Sequence, residues 1–188
     1  MVLLWEEWYI TRKKIIIIIS IIAFLVPTQL SYQKNVNFSK NIFFSKNTYR
    51  IKKNNNSKER ILLKINIPKI NLLKNIYEVN SYLNHVDKNV TILPESKLGQ
   101  KGIILAAHSG NNSNAYFNNI SLLNKNDLIY ITLQNNTYVY GVKNIYYINK
   151  TGYMEIPEEL SNTLILITCS VKYKNKQLIV VSTLIDNK

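Results

Sequence analysis

Apolar residues fall along this chain in two regimes. Between residues 15 and 33 there is no charged side chain, and the first part of that stretch, Ile15 through Val26, is almost wholly aliphatic. From Arg60 onward the apolar positions come instead in short runs rich in β-branched and aromatic residues, separated by clusters of Asn, Lys and Gly. Such runs predict strands, at residues 61–67, 75–79, 102–107, 127–133, 137–148, 163–168 and 177–185. Helical signal is thin and confined to a turn or two around 79–85 and 115–123. A mainly β domain, barrel or sandwich, follows from many short strands in so short a stretch.

The first regime suits lipid. Its aliphatic part is shorter than the roughly 20 residues a spanning helix needs, but 27–32 adds uncharged length, and Trp5, Trp8 and Tyr9 supply an interfacial belt. Arg12, Lys13 and Lys14 stand directly before it, which by the positive-inside rule keeps residues 1–14 in the cytoplasm and sends the rest outward. A cleaved signal peptide is the main rival. No small-x-small site follows Val26, which favours an uncleaved signal anchor over 15–33; a buried core helix would need the polar face that the Ile run lacks. Residues 34–59 are rich in Asn, Lys and Ser without sustained periodicity, so they read as a flexible tether whose lysines face an anionic membrane surface. The expected product is a single-pass cell-membrane protein with residues 60–188 as its extracellular domain.

Length allows one compact core plus this appendage, and so one active site. The formal net charge of +13 would suit nucleic acid, anionic lipid or an acidic envelope. The lysines are scattered singly, with no recognition-helix, RNA-binding or zinc-finger pattern, so nucleic acid is not expected as a partner. Cys169 is the sole cysteine, which excludes an intramolecular disulfide and a multi-cysteine metal site. A lone cysteine is ordinarily a small buried hydrophobe. In an exported domain, however, an unpaired thiol is an oxidation liability, and its retention calls for a reason such as catalysis.

Two segments stand out: Leu105-Ala106-Ala107-His108-Ser109-Gly110 and Leu164-Ile165-Leu166-Ile167-Thr168-Cys169-Ser170. In each, an apolar strand ends in a reactive side chain that emerges at the rim, where substrate can reach it. Either alone is weak evidence. With only two histidines and one cysteine in the chain, the pair fits a nucleophile and its distant acid/base partner. His85, among polar residues, reads as a surface residue.

These residues resemble the sortases, Gram-positive cell-surface cysteine transpeptidases built on an eight-stranded β-barrel. Ile165-Leu166-Ile167-Thr168-Cys169 is similar to the family's Thr-Leu-x-Thr-Cys, with Ile165 in place of the first Thr. Ile67-Pro68-Lys69-Ile70 resembles its early Ile-Pro-x-Ile pattern, 102–110 its histidine strand, and Tyr116-Phe117 with 122–129 its Phe, Leu-Leu and Gly-Asp segment. The resemblance implies a closed eight-stranded barrel with one or two short helices, behind an N-terminal transmembrane helix. It further implies Cys169 as nucleophile, His108 as acid/base, surface proteins bearing a C-terminal sorting signal as substrates, and a peptidoglycan precursor or cross-bridge amine as acceptor. Thr168 becomes a candidate for substrate binding or for lining the oxyanion site.

One departure matters. Gln177 falls where the family has an Arg that positions the sorting signal and stabilises the oxyanion, and no Arg follows Arg60. Gln offers a neutral amide where Arg offers a charged fork of donors. Lys176 would add a point charge, but strand alternation sets it on the opposite face from Gln177. The alternative reading is therefore a catalytically impaired surface-binding module on the same barrel. Calcium serves some sortases, and Asp87, Glu95, Glu155, Glu158 and Glu159 offer oxygen, but scattered acids do not make a site, so no metal or other cofactor is assigned. A second C-terminal apolar segment and an Asp-Pro-aromatic lid are both missing from the sequence, which points to a protein-anchoring type over a pilus-polymerising one.

Overall fold

The computed structural model describes residues 38–43, 59–151, 153–157 and 159–187. The expected anchor at 15–33, the segment 1–14 and most of 34–59 lie outside them. Among the described residues no helix is long and apolar enough to cross a membrane. One strand, β1 (Phe38–Phe43), falls inside the segment read as tether.

The domain consists of β2 (Ile61–Ile67), β3 (Leu72–Tyr77), β4 (Thr91–Ile92), β5 (Ile103–Ala106), β6 (Leu128–Leu133), β7 (Asn136–Asn149), β8 (Tyr153–Pro157), β9 (Thr163–Cys169) and β10 (Lys176–Asn187). Eight of these form one sheet in the order β3-β2-β6-β7-β10-β9-β5-β4, while β1 and β8 make a separate two-stranded sheet. The large sheet curls until its end strands meet but do not join in a ladder, so the barrel is nearly closed. Asn89 bridges the seam, its side-chain amide donating to the Asn75 carbonyl at 2.6 Å. Asn84 acts as a surrogate strand for β4, accepting from Ile92 N–H at 2.8 Å and donating to Ile92 C=O at 3.1 Å.

Burial explains the sequence pattern. On β2 alternate residues Leu63, Ile65 and Ile67 are buried in the barrel core, and the residues between them are more exposed. β5 and β9 pair in parallel, Ile103 opposite Leu164 through Ala106 opposite Ile167, and are covered on both faces. Leu105, Leu164 and Leu166 join the inner core, whereas Ile104, Ala106, Ile165 and Ile167 pack outside with Met154, Ile156, Leu160 and Ile179. Double-sided burial is why these two strands read as unbroken apolar runs.

The helical turns expected at 79–85 and 115–123 are absent as α-helix: the first is a series of turns, and the second contains only a 3-10 turn, Ile120–Leu122. Ser81 and Asn84 explain the first, since their side chains bond nearby loop groups, a competitor to helical pairing. β3 starts earlier than the expected 75–79 because the 3-10 turn Pro68–Ile70 ends on Asn71, whose left-handed backbone (φ 52°) reverses the chain at once.

Gly102, at the entry to β5, is fixed by a close approach. A β-carbon there would lie 1.7 Å from the Leu160 carbonyl oxygen, a backbone atom with no rotamer to relax. Gly102→Ala is therefore expected to destabilise the domain by roughly 2–4 kcal/mol, read as a lower chemical-denaturation midpoint.

Candidate active site

Three adjacent strands present their ends at one rim. The β5–β9 ladder continues past Ala106 through a bond from Ala107 N–H to Ile167 C=O at 3.2 Å, so that two residues further along each strand stand His108 and Cys169. On the other side of β9, antiparallel β10 sets Gln177 opposite Cys169. His108, Cys169 and Gln177 thus form one row, the continuation of Ala106, Ile167 and Ile179 on the same face of the sheet. The sequence is 61 residues from histidine to cysteine, and the parallel register cancels that separation.

The row is cross-tied. Thr168 is 4% exposed, and its hydroxyl donates to the Ala107 carbonyl at 2.8 Å. The Ser109 hydroxyl donates to the Cys169 carbonyl, and Phe117 N–H donates to the His108 carbonyl at 3.0 Å. Gly110, at φ 111°, turns the chain sharply just beyond. Thr168 thereby lines the cleft with its hydroxyl already committed to holding the two strand ends together. Thr168→Val removes that donor while keeping the shape, leaving a buried carbonyl short of a partner; a loss of about 1–2 kcal/mol is expected in denaturant unfolding.

Cys169 is a free, half-buried thiol in a cleft of about 470 Å³ whose walls include Ser109, Phe117, Asn118, Tyr147, Thr168 and Lys172. His108 is 38% exposed, and its Nε2 lies 2.8 Å from Asp87 Oδ1. That hydrogen bond, opposed by partial burial and aided by the charges of His85, His108 and Lys88, holds the Asp87 carboxyl below its ordinary range. Gln177 is 7% exposed, with its Oε1 buried and unpartnered. Lys176 is exposed on the opposite face, its ammonium 5.9 Å from the Tyr173 ring. Lys172 lies 5.2 Å from that same ring and reaches the cleft wall, while Tyr173 packs edge-on against Tyr147 at 4.8 Å.

Register thus sets His108, Cys169 and Gln177 in one row and Lys176 on the other face of β10, while Cys169 and Thr168 line the cleft. Sequence reasoning did not single out Lys172, and it weighed Asp87 only among scattered acids. Neither carries a local signal, because both arrive from loops: Asp87 precedes His108 by 21 residues, and Lys172 sits in the connection between β9 and β10.

The fold is thus a nearly closed β-barrel that sets a lone thiol, Cys169, and an imidazole, His108, on neighbouring strand ends. Residues 65–185 match the model of the Sortase domain family. The chain belongs to the sortase family. It is 25% identical to sortase A of Bacillus anthracis over 132 residues, which is 70% of this chain and 63% of that one. Sortase A from Corynebacterium diphtheriae has a similar fold, with a TM-score of 0.57 at 23% identity over 70% of this chain and 63% of that one. Sortase C from Streptococcus pneumoniae gives 0.58 at 20% identity, over 69% and 70%. Likeness to both A and C leaves the class open. The chain spans less than two thirds of the length of these two sortase A proteins.

Proposed function

We propose that this chain is a sortase-type cysteine transpeptidase acting at the outer face of the cell membrane, held there by the apolar segment 15–33. The observation that carries the reading is the single row of His108, Cys169 and Gln177 beside an open cleft. The Cys169 thiolate adds to a backbone carbonyl in the C-terminal sorting motif of a surface protein, forming a C–S bond. As the tetrahedral adduct collapses, the peptide C–N bond breaks, and His108 gives its proton to the departing amine. The thioacyl-enzyme is then resolved by an amine of the peptidoglycan cross-bridge or its precursor, which loses a proton to His108 as the C–S bond breaks.

Gln177 is neutral, and Lys172 lines the cleft itself, so Lys172 is the cation best placed to favour the developing oxyanion. Protein anchoring, as opposed to pilus assembly, remains the proposed use. A panel of sorting-motif peptides, followed by intact-mass measurement for a thioester on Cys169, tests the function; a folded protein that acylates with none of them, with or without an amine acceptor, overturns it.

The second reading, an impaired surface-binding module, is favoured by one observation: a buried amide with an unpaired oxygen stands where a guanidinium would. An inert Cys169 thiol combined with retained peptide binding would select it.

A further inference from the structure

His108 has two ring nitrogens, and one is already engaged. Its Nε2 lies 2.8 Å from the Asp87 carboxylate, so Nδ1 is the nitrogen left to exchange a proton with the Cys169 thiol and with the departing amine. The carboxylate is mounted on a fixed loop. Lys88 N–H and Asn89 N–H both donate to the His85 carbonyl, at 2.8 and 2.9 Å. The Asn114 side chain donates to the Asp87 carbonyl at 2.5 Å, and Asn89 ties the loop to β3. Asn114 belongs to the loop that follows His108, so acid and imidazole are braced against each other from both sides.

We propose that Asp87 is the positioning residue of the site: it completes a Cys169–His108–Asp87 chain that fixes the ring and its tautomer and stabilises the imidazolium formed when His108 takes a proton. The inference rests on the transpeptidase reading for its use but not for its geometry. In a site where the strand opposite His108 carries a neutral amide in place of a cation, that imidazolium is the charge nearest the nucleophile in the row, and a carboxylate behind it favours the thiolate–imidazolium pair. The proton moves from Sγ to Nδ1 on activation and from Nδ1 to the leaving amine on acylation; Asp87 takes none.

The other charged groups around Asp87 are consistent with this role. His85 Nδ1 lies 3.2 Å from the second carboxylate oxygen and 3.3 Å from Asp87 N–H, so a neutral His85 accepts from the backbone and a protonated one pairs with the carboxylate without displacing His108. Lys88 turns its ammonium over the Tyr82 ring, 4.7 Å away. Asp87 is 61% exposed, and solvent screening makes its contribution much smaller than that of a buried triad acid.

The experiment measures alkylation of Cys169 by iodoacetamide at neutral pH alongside peptide acylation, in the full chain and in Asp87→Ala, Asp87→Glu, His108→Ala and the Asp87→Ala/His108→Ala double variant. Asp87→Ala is expected to slow alkylation roughly tenfold with an unchanged melting temperature, to lower kcat of acylation more than it changes KM, and to be largely rescued by Asp87→Glu. In the His108→Ala background it should have no further effect, because the carboxylate acts only through the ring. Alkylation at the original rate or faster in Asp87→Ala, or an equal effect with and without His108, overturns the proposal. Slowed alkylation in a protein that acylates no peptide keeps the positioning role and removes the transpeptidase reading instead.

Discussion

Cys169→Ala is expected to leave no thioester with any sorting-motif peptide, and His108→Ala to slow acylation by about a thousandfold or more while leaving the fold intact. The first result follows from composition: Cys169 is the sole thiol, and its half-buried position at the end of β9 means that losing one sulfur atom at the rim costs little packing. The second follows from the row. Without His108 the row holds no group able to take the thiol's proton, since Gln177 is uncharged and cannot act as a base. Both variants should unfold at the denaturant concentration of the parent, because the contacts that brace the strand ends come from Thr168, Ser109 and Phe117 and not from the two reactive side chains. A thioester that survives in Cys169→Ala, or a His108→Ala protein that acylates within threefold of the parent, would sink the assignment.

Strands were legible in the sequence wherever burial imposed a pattern. β2 has the expected bounds, and β6, β7, β9 and β10 fall within two residues of expectation, because Asn, Lys or Gly clusters end each apolar run. β4 and β8 escaped notice. β4 is two residues long, pairing with β5 through Thr91 and Ile92, and Asn84 bonds its other edge, a contact that sequence spacing does not announce. β8 buries Met154 and Ile156, too short an alternation to read as a strand. The row of His108, Cys169 and Gln177 was legible because each closes or opens an apolar run, so the strand ends mark it. Asp87 and Lys172 were not. Their positions depend on how loops land on the rim, which is decided by bonds such as Asn114 to Asp87 and by the Tyr147–Tyr173 contact.

Gln177→Arg is expected to raise the acylation rate by roughly ten- to a hundredfold. Position 177 is the β10 partner of Cys169, so a side chain there starts from the same row as the thiol, on the flank opposite His108. The present amide contributes little: its oxygen is buried without a donor, and a neutral N–H is a weaker partner for a developing oxyanion than a charged one. Removing one preformed oxyanion donor elsewhere costs on the order of a hundred- to a thousandfold. The cleft here is open to water, which screens the added charge and sets the expectation at the lower end. The longer Arg can lay its stem where Gln177 is buried and carry the guanidinium out to the rim. Gln177→Met, similar in length and without polar atoms, separates charge from packing: it should leave the rate within threefold and remove the orphaned oxygen. If Gln177→Arg folds at the parental stability and acylates no faster, the site is not short of a cation on that flank. Lys172→Gln would then be expected to lower the rate at least tenfold, since Lys172 would already be supplying the charge from the cleft wall.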